Sequence, residues 1–120
     1  MAILKIMTDY GCFPIWIKGK EGFFENIDPE QLPISDNLKK PLSHFRWQYD
    51  QTLDQDYPPN SGFPSQKDAV EFEQLGILIW KELLKEVGNI YEVVYFSVLE
   101  NKLYTDIQQY QAVISQKTDQ

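Results

Sequence analysis

Histidine and cysteine each occur once in this chain of 120 residues, as His44 and Cys12. One cysteine cannot close an intramolecular disulfide or build a thiolate metal cluster, and one imidazole cannot make a multi-histidine site. No metal and no cofactor are therefore expected. Bases are scarce as well: 11 lysines and arginines stand against 18 acids, a net charge of −7. Such a surface repels phosphate, so direct binding of nucleic acid or of an anionic membrane is not expected. A basic protein partner suits the sign, and so does the plainer reading that the charge keeps the protein in solution. No stretch approaches the roughly 20 apolar residues of a membrane span, and the apolar run in MAILKIMTDYGCF is too short for a signal peptide. The expectation is a soluble protein of a reducing cytoplasm.

What is present is material for a core. Hydrophobic residues make up 42% of the chain and aromatics 14%, enough for one domain spanning residues 1–120. Ala2 to Met7 reads as a strand. Phe13, Ile15 and Ile17 alternate at period two, and Gly19-Lys20-Glu21-Gly22 supplies a turn, predicting a hairpin of Phe13–Lys18 against Phe23–Ile27. Leu38, Leu42, Phe45, Tyr49 and Leu53 recur at helical steps, with Pro41 either starting the regular part or kinking it. Ser65 and Asp68 resemble a capping box, and Ala69, Phe72, Gly76, Ile79, Leu83 and Val87 then line one face of a helix over Gln66–Val87. Gly88-Asn89 is expected to close that helix in the left-handed conformation. IYEVVYFSV has apolar residues on both alternating faces, which predicts a central strand covered on both sides. Leu103 to Ile114 reads as a short helix, and residues 115–120 as a frayed end. The order β-β-β-α-α-β followed by that helix predicts an α+β fold: a mainly antiparallel sheet with two principal helices on one face.

Chemistry is hard to find. Cys12 is a nucleophile only if a neighbour activates its thiol, and YGCFP offers none, so it reads as a small buried residue. His44 reads as structural or solvent-facing on its helix. Asp50, Asp54 and Asp56 suggest a cation site, but their spacing departs from the calcium-loop pattern and lacks its closing glutamate. The same carboxylates would serve acid–base hydrolysis only in a cleft that raises one pKa. Phosphate-binding glycine loops, zinc spacings and nucleophile elbows are absent.

The charge is concentrated. Between Trp47 and Gln74 lie six acids (Asp50, Asp54, Asp56, Asp68, Glu71 and Glu73) and one base, Lys67, a net of −5. Tyr49, Tyr57 and Phe63 are interspersed among them. Aromatics amid carboxylates suit a protein interface, where rings anchor and charges steer. They suit equally a solvated helix end with Tyr49 and Phe63 in the core. Both readings stay open.

Three segments carry a resemblance. DYGCFPIW, NIDPEQLPIS and YDQTLDQDYPPNSGF, with a late YEVVYFS, resemble a family of small bacterial proteins across about residues 7 to 97. That family looks like immunity proteins of contact-dependent growth inhibition and related polymorphic toxin systems, whose toxins are often basic nucleases. The resemblance implies a non-enzymatic inhibitor that blocks the active site of a cognate, basic toxin domain. Its expected contacts are Asp50, Asp54, Asp56, Tyr57, Glu71 and Glu73. The alternative is a small enzyme, or a ligand- or cation-binding domain, using the aspartates of residues 49–63. A plain structural subunit is a third possibility.

Overall fold

The computed structural model describes residues 1–20 and 22–118. Five strands form one sheet: β1 (Ala2–Ile6), β2 (Ile15–Lys18), β3 (Glu25–Ile27), β4 (Tyr91–Ser97) and β5 (Lys102–Tyr104). Three helices accompany them: α1 (Asp36–Asp50), α2 (Gln66–Val87) and α3 (Ile107–Thr118). The sheet order is β3-β2-β1-β4-β5, antiparallel except for the β1–β4 pair. This is the expected α+β architecture with one strand added.

Leu4 and Ile6 of β1, Ile15 of β2, and Val93 and Tyr95 of β4 are buried on the face beneath the helices, as strand alternation requires. Leu38, Leu42 and Phe45 of α1, with Phe72, Ile79, Trp80, Leu83 and Val87 of α2, close that core from above. The four-residue recurrence seen in sequence is thus the stripe that packs. α3 adds Tyr110 and Ile114, and the Tyr110 ring lies 4.3 Å from that of Tyr104 and 5.4 Å from that of Tyr95.

Several expectations need correction. β1, not β4, is the middle strand; β4 is interior, one place from the edge. Its second face carries Glu92, Val94 and Phe96, of which only Val94 is buried. There the Lys5 ammonium sits 4.2 Å from the Phe24 ring centroid, and burial lowers its pKa. α1 begins at Asp36 and runs through Pro41, which lacks the N–H that would bond the Asn37 carbonyl, and lies against the α1–α2 groove. Gly88 closes α2 in right-handed geometry, at φ −63°, donating its N–H to the Leu84 carbonyl. Residues 102–104, expected partly as helix, pair with β4 instead. α3 starts at Ile107 and continues to Thr118, through residues 115–118 of the segment expected to fray. The last two residues of that segment, and Glu21 of the expected hairpin turn, lie outside the described residues.

A candidate partner surface at the acidic end of the helix pair

The crossing from α1 to α2 is held by residues that the sequence offered as contacts. Asp54 turns its carboxylate onto its own loop: Oδ1 accepts the backbone N–H groups of Asp56 (3.0 Å) and Tyr57 (2.9 Å). Oδ2 lies 3.5 Å from the Asn60 amide. These donors favour the charged form, with the Tyr57 N–H the largest influence, so the Asp54 pKa is lowered. The loop is closed at its far side by two more bonds. The Asp54 N–H donates to Ser61 Oγ (2.8 Å), and the Gly62 N–H donates to the Thr52 carbonyl (3.0 Å). Gly62 stands at φ +154°, a backbone angle that L side chains rarely adopt, which explains a glycine there.

The first strand's exit loop secures the same crossing. Tyr10 stacks on Tyr49 with ring centroids 4.6 Å apart, and its hydroxyl meets Thr52 Oγ1 at 2.8 Å. Burial, with Tyr10 alongside, pushes the Tyr49 hydroxyl up to about 12. Asp50 accepts the Gly11 N–H (3.2 Å) and pairs with Arg46 (3.7 Å), while Arg46 donates to the Gly11 carbonyl (3.3 Å) and covers the Phe13 ring. DYGCF and YDQTL, 39 residues apart at the Gly11–Asp50 bond, are therefore two halves of one joint. Cys12, expected to be buried, is only half-buried in that joint.

Of the six expected contacts, three face outward. Asp56 and Glu71 are exposed, and Tyr57 is 64% exposed. Asp50 and Asp54 are committed to the joint and the loop. Glu73 is the clear correction: it is fully buried. Its Oε1 accepts the Ser97 hydroxyl (2.6 Å) and the Leu99 N–H (3.2 Å), and its Oε2 accepts the Tyr95 hydroxyl. Ser97 Oγ in turn lies 2.7 Å from the Tyr110 hydroxyl. Burial raises the Glu73 pKa although these bonds oppose it. Nor do the aspartates converge on a cation: among the described residues no group of three or more His, Cys, Asp or Glu side chains is placed to hold a metal.

Sequence reasoning missed a groove beside the loop, between the end of α1 and the start of α2. It measures about 370 Å³, with Phe63 and Phe72 among its lining, Trp47 on one side, and Asp68 and Glu71 on the other. Trp47 is 57% exposed and stacks on His44, 5.8 Å between ring centroids. His44 is solvent-facing, as expected. Trp47 falls off the Leu38–Leu42–Phe45–Tyr49 stripe and borders the acidic segment, and that position is the signal in the sequence for a ring outside the core.

The result is an acidic, aromatic surface built on a hydrogen-bonded joint. Residues 2–98 match the family described as Serratia CdiI immunity protein-like. The chain belongs to that family. No curated protein matches the chain. The match takes in the joint, the loop, the groove and the Glu73 network's strand residues, and stops short of β5 and α3. No helix among the described residues is long and apolar enough to cross a membrane.

Proposed function

We propose that this protein is an immunity protein that binds a cognate bacterial toxin domain stoichiometrically and covers its active site. Membership of the immunity protein-like family over residues 2–98 is the observation that carries the reading. The toxin is inferred to be basic, and a nuclease is the class whose cationic cleft an acidic face fits. Carboxylates placed where substrate phosphates would lie occupy such a cleft without reacting. The protein acts as an inhibitor and not as an enzyme, in the cytoplasm, where it meets an incoming toxin. Asp56, Tyr57 and Glu71 are the proposed contacts, with Asp50 and Asp54 holding the loop that presents them. Glu73, buried, makes no contact.

The test is co-expression with the toxin domain encoded immediately upstream. Cells carrying both are expected to grow and the purified pair to elute as one complex. Cells that die with or without this protein would overturn the proposal. Charge reversal at Asp56 and Glu71 is expected to slow association, more at low salt than at high, as screening dictates.

A further inference from the structure

Resting on the immunity reading, we propose that the groove between Trp47 and the Asp68–Glu71 edge is a receptor for one arginine side chain of the partner. The groove offers each part of that side chain what it needs. Phe63 and Phe72, with ring centroids 5.0 Å apart, give apolar surface for the methylene stem. The Trp47 ring, more than half exposed, offers a face over which a guanidinium can lie. Asp68 and Glu71 are one helical turn apart on α2 and so edge the same side of the groove. Asp68 Oδ2 accepts the Ser65 hydroxyl at 3.0 Å. Glu71 is exposed and enters no ion pair among the described residues. Gln48 lines the groove as well.

A planar cation with several N–H donors and an apolar stem matches aromatic walls and two carboxylates together. Arginine is preferred over lysine because its guanidinium is more weakly hydrated, stacks on rings and binds a carboxylate through two parallel bonds. An acidic or purely apolar group would leave the carboxylates unpaired or repelled. A second apolar groove, between α1 and α2 beside Leu78, has its acids already engaged: Glu82 pairs with Lys85, and Glu86 accepts from Ser35.

The probe is acetyl-glycyl-arginyl-glycine amide, titrated into the whole protein while the amide and indole NMR signals are followed. Saturable shifts are expected at the Trp47 indole and at Gln48, Asp68 and Glu71. The citrulline counterpart, equal in shape but neutral, is expected to bind at least about tenfold more weakly, as is the arginine peptide to the Asp68→Asn/Glu71→Gln double variant. Equal binding of the citrulline peptide, shifts centred on Asp56 and Tyr57 instead, or no saturable shift at all would overturn the proposal. The two readings fail separately. A toxin neutralised equally well by the double variant and by the native protein overturns the groove and leaves immunity standing. A peptide that seats in the groove while no toxin is neutralised supports the arginine receptor and removes the immunity reading.

Discussion

Asp54 and Glu73 belong to the same acidic quarter of the chain, and the fold gives them opposite tasks. Asp54 lies in an open loop, where backbone N–H groups of its own turn lower its pKa. Glu73 lies in the core between α2 and β4, where burial raises its pKa despite the hydroxyls and the N–H group directed at it. A negative charge in a sequence thus says little about a negative surface. It also says nothing about the direction in which pH acts, because the two carboxyl groups respond to acid and base with opposite sign.

The buried side of the comparison breaks hardest. Glu73→Ala removes the acceptor from the Tyr95 and Ser97 hydroxyls and the Leu99 N–H while opening a cavity, and a loss of about 4 kcal/mol is expected in denaturant unfolding. Gly76→Ala comes next. Helix propensity alone would make it stabilising by about 1 kcal/mol. However, a Cβ at Gly76 would approach within 2.7 Å of ring carbons of Tyr95, which is fully buried and stacked on Trp80. Overpacking against a ring that cannot withdraw is expected to reverse the sign and cost about 2–3 kcal/mol. A melting temperature that rises would show that the ring has room to move.

A gentler change sharpens the same side. The folded pKa of Glu73 is raised above its ordinary value of 4.5. The stability linked to it is therefore complete below that ordinary value and is lost as pH rises through the folded pKa. Glu73→Gln has no proton to lose there. Unfolding free energies of the two proteins, measured from pH 4.5 upward, are expected to diverge in favour of the glutamine variant as pH rises. Parallel curves would mean that burial does not raise this group.

Glu73 carries the charge of a surface residue but not the position of one. Ala69, Glu73, Gly76 and Trp80 follow one another at four-, three- and four-residue steps, so Glu73 lies in the stripe that packs, and helical periodicity places it inward. A carboxylate's charge does not override its place in the helical period. The boundaries of α2, by contrast, are legible in full, because Ser65 caps the helix through the Asp68 N–H (3.1 Å) and Ala69, Phe72, Gly76, Ile79, Leu83 and Val87 recur behind it. β5 was not legible. Three residues are too few to show alternation, and Leu103, Ile107 and Tyr110 continue a helical spacing across the Thr105-Asp106 turn that precedes α3. The joint between DYGCF and YDQTL could not be read either, since spacing along a chain does not say which two loops meet. The outward half of the predicted contact set came from residues in turns and on an exposed helix edge, where no periodic constraint binds the side chain to the core.

The exposed side of the comparison is expected to bend where the buried side breaks. Asp56→Lys and Glu71→Lys touch no hydrogen bond or ion pair that the described structure assigns to either side chain, and unfolding stability is expected to stay within about 0.5 kcal/mol of native. Their effect belongs to binding. A loss of stability comparable to Glu73→Ala would mean that these side chains serve the fold, which would remove them from the proposed contact face.

Asp54 is the smallest and most local of these cases. Because its folded pKa is lowered from 3.8, the stability linked to it is present above that ordinary value and is lost as pH falls through the folded one, the reverse of Glu73. The residue is half-buried in a surface loop with its carboxylate near solvent, so this linkage is too weak for a melting curve, and carboxyl carbon NMR shifts are the suitable readout. The Asp54 signal is expected to titrate below the ordinary aspartate range, with the Asp56 and Tyr57 amide signals moving in step as their acceptor is protonated. Asp54→Asn keeps an oxygen for those two N–H groups and is expected to preserve the turn, whereas Asp54→Ala removes the acceptor and should release Tyr57 from its position. If both variants bind the partner as native does, the Asp54 cap is not what presents Tyr57, and the order of the loop must come from the Gly62–Thr52 and Asp54–Ser61 closures alone.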